Sequence, residues 1–329
     1  MNQGVVNAMN IIETKDLTKK FEQMTAVDSL NLEIREGEIF GLLGPNGAGK
    51  TTTLLMLVTL KPPTSGTATI NGFDIVTQPD KVRKSIGIVF QDPSSDEILT
   101  GYENLKLHGW LYDMPDDLRE ERIKEVLSLV DLNDRKNDRV KKYSGGMRRR
   151  LELARGLMHH PKVLFLDEPT LGLDPQSRDH IWTYIENLAK EKNMTIVITT
   201  HYMDEADKLC DRLAIIDHGK VVVLGSPKQL KKDLGGDIIR LKATNLDTDV
   251  LKKLPYVKEI SPCDGEVCLT LEDANIHLQE ILKMVGKVDS VEIRSPTLDD
   301  VFLHYTGRAL REGGSSEGSW AEKMMNARD

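Results

Sequence analysis

The apolar run Ile39-Phe40-Gly41-Leu42-Leu43 leads directly into Gly44-Pro45-Asn46-Gly47-Ala48-Gly49-Lys50-Thr51. A first and a sixth glycine followed by Lys and a hydroxyl residue is the spacing of a phosphate-cradling loop. That chemistry needs a strand before the loop and a helix after it. Only then do inward-turned backbone N–H groups and a helix N-terminus converge on one anion. In this role Lys50 reaches the β- and γ-phosphates and the Thr51 hydroxyl binds Mg²⁺. The bland alternative is a glycine-rich structural turn, which would not require the strand and helix on either side.

The surrounding pattern agrees with an α/β domain. Short apolar runs alternate with amphipathic stretches to about residue 225, as in a parallel sheet flanked by helices. The spacing predicts strands at Ile39 to Leu43, Ser85 to Phe90, Val163 to Asp167 and Thr195 to Thr200, with a helix from Gly49 to Leu60 stopped by Pro62-Pro63. No strand is expected between about Pro93 and His160, which reads as a helical insertion containing Tyr102, Trp110 and Tyr112. Asp217-His218-Gly219-Lys220 predicts a tight hairpin turn, and Ser226 a cap for a short helix from Pro227 to Leu234. After Gly235-Gly236 the order strand, helix, strand, strand, helix, strand over about 237–294 suggests a small ferredoxin-like unit, followed by a short helix from Leu298 to Tyr305. The tail after Arg311 is expected to be disordered.

Three further segments bear on phosphate chemistry. Val163 to Leu166 is an apolar strand ending in Asp167-Glu168. An aspartate at such a strand end suits Mg²⁺, and Glu168 is placed to act as general base. The alternative is an ordinary acidic strand end before Pro169-Thr170. Tyr143-Ser144-Gly145-Gly146-Met147 opens a helix to about Met158, with Ser144 as its cap. Two glycines there each cost about 1 kcal/mol of helix propensity, which makes sense if a phosphate must approach the backbone. For Arg148-Arg149-Arg150 a solvated basic face is expected. His201 and Gln91 each end a strand, where ligands gather in parallel sheets.

In this order, the segments resemble the ATP-binding cassette (ABC) family over about Ile11 to Leu230. In family terms Gly44 to Thr51 is the Walker A loop, Gln91 the Q-loop, and Tyr143 to Met147 the signature. Val163 to Asp167 is Walker B, Glu168 the catalytic glutamate, Leu171 to Asp174 the D-loop and His201 the switch histidine. Phe21 stands where the family places an aromatic that stacks on adenine. The resemblance implies catalytic roles for Glu168, His201 and Gln91, and nucleotide contacts from Phe21, Gly44 to Thr51, Thr52, Ser144, Gly145, Gly146 and Asp174. It places Mg²⁺ on Thr51, Gln91 and Asp167. Three positions depart from the commonest pattern: Tyr143 and Met147 flank the Ser-Gly-Gly core, Leu171-Gly172 opens the D-loop, and Phe21 replaces tyrosine. The segments Asp96 to Leu105 and Tyr143 to Glu152 look like the daunorubicin and multidrug-resistance branch, whose exporter ATPases often have a small extra domain.

The implied fold is an α/β P-loop NTPase cassette with an antiparallel β subdomain and a helical insertion, plus a small C-terminal α+β domain. The implied division is an N-terminal extension (1–10), the ATPase domain (11–235, helical part about 93–160), an accessory domain (236–307) and a tail (308–329). The resemblance further implies a head-to-tail homodimer with ATP between Gly44 to Thr51 of one cassette and Ser144 and Gly146 of the other. Such a dimer powers a separate transmembrane permease. Leu99, Tyr102, Leu105, Leu111 and Met114 are candidates for the permease groove, or equally for the insertion's own core.

Composition is consistent with this picture. A net charge of −8 argues against nucleic acid as a partner. No run approaches the ~20 apolar residues of a membrane helix, nor is there a signal peptide at Met1 to Asn10. A soluble cytoplasmic chain is expected, peripheral on the inner membrane face through its permease. Three cysteines form no even framework. Two rival classes are a soluble cassette ATPase acting on ribosomes or DNA, and a regulatory cassette that binds ATP without hydrolysis. The single cassette, the short interval between Gln91 and Tyr143, and the intact Glu168 and His201 argue against them.

Overall fold

A computed structural model describes residues 9–22, 24–243, 248–263, 266–285 and 287–307. The expectations for the N-terminal extension over 1–8 and for the tail over 308–329 lie outside them. The chain opens with a long hairpin, β1 (Asn10–Phe21) and β2 (Met24–Arg35), and then enters β3 (Ile39–Leu43). After the glycine loop come α1 (Lys50–Leu57), β4 (Ser65–Ile70), β5 (Phe73–Asp74), α2 (Pro79–Ser85) and β6 (Ile86–Val89). The insertion consists of α3 (Gly101–Leu111), α4 (Asp116–Leu129) and α5 (Gly145–Leu157). The chain returns through β7 (Val163–Asp167), α6 (Pro175–Lys192), β8 (Thr195–Thr200), α7 (Met203–Leu209), β9 (Arg212–Asp217), β10 (Lys220–Gly225) and α8 (Pro227–Asp233).

The central sheet has the order β10-β9-β3-β8-β7-β6, parallel except for the β9–β10 hairpin. Its inner strands β3, β7 and β8 are buried at every residue. That explains why they read as continuous apolar runs rather than alternating ones. A second, antiparallel sheet, β2-β1-β4-β5, packs on one face through Ile12, Leu17, Leu30, Phe40 and Phe165. The insertion packs on the other through Leu151, Ala154, Met158 and Leu164.

Several sequence-based boundaries shift. Helix α1 stops at Leu57 rather than Leu60, because Thr59 adopts φ +64° and the Leu60 and Lys61 N–H groups both turn back to the Leu55 carbonyl. The second core strand begins at Ile86, since Ser85 closes α2 with its hydroxyl on the Val82 carbonyl. The β9–β10 turn has positive φ at both His218 and Gly219, the twist a two-residue hairpin needs. Leu105 is fully buried and Met114 nearly so, so both belong to the insertion core, whereas Leu111 is 72% exposed. Cys210 is free and buried, whereas Cys268 is disulfide-bonded.

The C-terminal unit follows as β11 (Asp237–Ala243), α9 (Thr248–Leu251), β12 (Val257–Cys263), β13 (Glu266–Leu271), α10 (Ala274–Met284) and β14 (Val288–Arg294). Its sheet order β12-β13-β11-β14, antiparallel throughout, is the split βαβ arrangement of a ferredoxin-like fold. The last helix, α11 (Leu298–Thr306), leaves this unit. Leu298, Val301 and Phe302 are buried in the same core as Met203, Leu209 and Leu230 of the cassette.

Candidate nucleotide-binding site

The glycine loop joins β3 to α1 under tight steric limits. A Cβ on Gly44 would lie 2.2 Å from the Ile216 carbonyl oxygen, and one on Gly49, at φ +107°, 2.5 Å from that of Ala26. Gly49 is the N-cap of α1 and offers no side chain, so the first-turn N–H groups are left for an external anion. Pro45 is half-buried, Asn46 and Gly47 are exposed, and Ala48 is buried. Thr52 is half-buried in the first turn of α1. Lys50 is 4% exposed. Its ammonium donates to the Gly44 and Pro45 carbonyls at 2.8 and 3.1 Å and lies 3.8 Å from Glu168. Burial pushes its pKa below the usual lysine value, against the pull of Glu168 and Asp167.

Asp167 ends β7 beside this lysine. Its Oδ1 accepts from the Thr51 hydroxyl at 3.3 Å and from the Thr199 hydroxyl at 2.5 Å. Burial raises its pKa. Glu168 follows at φ +45°, a left-handed conformation that a glutamate rarely adopts. Its N–H is held by both the carbonyl and the hydroxyl of Thr199, at 3.1 Å each. His201 Nδ1 lies 3.1 Å from Glu168 Oε1. Burial works to raise the Glu168 pKa, but His201 and Lys50 outweigh it and hold the carboxyl below its usual value. Thus β3, β7 and β8 bring Lys50, Thr51, Asp167, Glu168 and His201 together at one sheet edge, where open α/β folds bind ligands.

Other site residues lie apart from this cluster. Gln91 is exposed, and among the described residues its side chain makes no hydrogen bond to Thr51 or Asp167. Phe21 ends β1 half-buried, with Lys19 and Lys61 ammoniums 5.3 and 5.4 Å from its ring centre. Ser144 caps α5 by accepting from the Met147 N–H at 3.2 Å, and Ser144 and Gly145 are exposed. Gly146 faces Ser177, whose N–H is capped in turn by Asp174 at 3.0 Å. Tyr143 is buried in the insertion, its hydroxyl donating to the Arg135 carbonyl.

The solvated face expected of Arg148 to Arg150 is corrected at Arg149, which is 6% exposed. Arg149 donates to the carbonyls of Pro169 (2.6 Å), Asp167 (2.9 Å), Phe90 (2.5 Å) and Gln91 (3.4 Å). Arg149, Glu152 and Gly156 share one helix face, and Gly156 presses against Ile88 and Val89 of β6. Thr199 was also missed as the residue that fixes both Asp167 and Glu168.

Comparison with known proteins gives the family. The chain is 38% identical over 322 residues to the daunorubicin/doxorubicin resistance ATP-binding protein DrrA of Streptomyces peucetius, covering 95% of this chain and 97% of that one. The chain belongs to the ABC transporter family. The family model "ABC transporter" matches residues 27–171, and "ATP-binding protein DrrA1-3-like, C-terminal domain" matches 225–306. The linearmycin resistance ATP-binding protein LnrL of Bacillus subtilis is 36% identical, over 92% of this chain and all of that one. Among solved structures, the ABC cassette MJ0796, described as a dimeric post-hydrolysis state bound to ADP and Pi, aligns with TM-score 0.59 and 29% identity. The alignment covers 65% of this chain and 98% of that one. As an ABC cassette, this chain binds and hydrolyses ATP.

Proposed function

We propose that this chain is the ATPase subunit of an exporter of the drug-efflux type, in which two copies close on ATP and so drive a separate membrane permease. The observation that carries this reading is the pair of phosphate-binding turns on one chain. The first, Gly44 to Thr51, converges with Lys50, Asp167 and Glu168. The second, Ser144 to Gly146, has Ser144 and Gly145 exposed and Gly146 half-buried at the start of α5, beside Leu173 and Ser177. One ATP needs only the first, so the second serves the ATP of a partner cassette, in keeping with the dimeric relative. The export role is supported by the two antibiotic-resistance relatives.

In the closed pair, the loop amides and Lys50 hold the phosphates, and Phe21 stacks on the base. Glu168, kept ionised, accepts the proton of the water whose oxygen bonds to the γ-phosphorus. The bond to the β,γ-bridging oxygen breaks, releasing ADP and phosphate. His201 orients Glu168 through the 3.1 Å contact. The oxygen donors at Thr51 and Asp167 suit a hard divalent cation: the Asp167 carboxylate is buried, and among the described residues the side-chain donors to its Oδ1 are the Thr51 and Thr199 hydroxyls. These two residues, completed by Gln91, would hold Mg²⁺, which supplies charge neutralisation at the β- and γ-oxygens. Asp174 holds the start of α6 beside the second turn.

Among the described residues no helix is long and apolar enough to cross a membrane. Attachment to the inner membrane face therefore comes through the permease, and we assign its docking surface to the insertion, where Trp110 and Leu111 are 52% and 72% exposed. Residues 11–235 form the ATPase domain and 236–307 the accessory domain. The test is Glu168→Gln: turnover should fall about 10²–10⁴-fold with ATP binding kept. Turnover near the parent rate would remove Glu168 as the base.

A further inference from the structure

The signature helix grips the segment around Gln91 from two sides. On one turn of α5, Arg149 donates to the Phe90 and Gln91 carbonyls, and the same guanidinium reaches the Asp167 and Pro169 carbonyls on either side of Glu168. On the next turn, Glu152 accepts from the Ser94 and Ser95 N–H groups at 3.2 and 2.8 Å and from the Ser94 hydroxyl at 3.1 Å. Arg155, one turn further, donates to Glu152 and to the Ser94 hydroxyl, each at 2.8 Å. The three residues are spaced i, i+3, i+6 and form one polar spine down a helix whose N-terminus is the exposed Ser144 turn.

Arg149 and Glu152 are both buried, at 6% and 4% exposure, inside an otherwise apolar packing face. A buried guanidinium is costly unless its donors are satisfied, and here carbonyls from two separate segments satisfy them. Its planar fork spans both segments at once, which a lysine's single point charge cannot do. Any tilt or shift of α5 therefore moves the Gln91 backbone and the Asp167–Pro169 turn with it.

We infer that Arg149 is a positioning residue for ATP hydrolysis: it ties the phosphate turn that serves the partner's ATP to Gln91 and Glu168 of its own site. Glu152 and Arg155 complete the linkage by fixing the far end of the same loop. The inference rests on the reading of Gln91 and Glu168 given above. Closure of Ser144 on one nucleotide then sets the geometry at the other, so the two sites of a dimer are aligned through α5 rather than through the nucleotide alone.

The test uses full-length Arg149→Lys, Gln91→Ala and the double variant, with ATPase kinetics and the affinity for a fluorescent ATP analogue. Arg149→Lys should leave affinity unchanged and lower kcat by about 10- to 100-fold, the scale of a small misplacement of catalytic groups. Combined with Gln91→Ala, the loss should fall short of the product of the two single losses, since part of Arg149's effect passes through the Gln91 loop. A folded Arg149→Lys protein with parent kcat overturns the inference, as do losses that multiply in the double variant. Should Arg149→Lys not fold, Glu152→Gln takes its place with the same two outcomes, because its amide opposes Arg155 and loosens Ser94. Glu168→Gln run alongside separates the readings. Parent-like turnover there removes the site assignment itself, whereas a slow Glu168→Gln beside a fast Arg149→Lys removes only Arg149.

Discussion

Glu168 is a carboxyl whose pKa burial pushes up and the groups around it pull down. Its folded-state pKa lies below the usual 4.5 because His201 and Lys50 outweigh desolvation. A depressed pKa means that the carboxylate's stabilising contribution is present above the ordinary carboxyl pKa and is lost as pH falls through the folded value. In His201→Ala the leading opposing group is gone, so the Glu168 pKa should rise relative to the parent, as read by ¹³C NMR titration of the carboxyl. An unchanged or lower value would contradict the account of the pair. At this scale the sequence was most informative where phosphate chemistry fixes residue type and spacing, as at Gly44, Gly49, Lys50 and Glu168. It was least informative at Arg149, whose partners are main-chain carbonyls. Carbonyls have no residue identity, so no motif could reveal that four of them converge on one guanidinium.

Among the elements, buried strands were legible because burial on both faces makes them uniformly apolar, as in β3, β7 and β8. Element ends were less so: the left-handed Thr59 ends α1 ahead of the prolines that the sequence suggested as its stop. The antiparallel strands β1 and β2 were not read individually, since their twelve residues each mix charged and apolar positions through several register shifts. Helix α11 was foreseen as a helix but not as part of the cassette core. Arg294 and Asp300 pair in a fork, with one bond at 2.7 Å, and so tie the end of β14 to α11. Phe302, 1% exposed, packs with residues of α7 and α8. Phe302→Ala should therefore destabilise by about 3–5 kcal/mol. The loss should appear in the cassette's own unfolding transition, followed by its ATP-dependent fluorescence during urea titration. A change confined to the C-terminal sheet would show that α11 does not brace the cassette.

For the whole molecule, the decisive feature of the proposal is that two glycine turns open helices, while Lys50, Glu168 and His201 converge on only the first of them. The sequence made both turns visible. It could not show that the Ser144 turn lies open beside Leu173 and Ser177, because that depends on how the insertion is set against the central sheet. It also could not show that the accessory unit returns to the cassette through α11. The central claim is that two copies close on ATP. Light scattering on full-length Glu168→Gln, with and without Mg²⁺-ATP, tests it most directly. The account predicts a monomer's mass without nucleotide and a doubled mass with it. A mass that stays that of a monomer at saturating ATP would contradict closure by this chain alone.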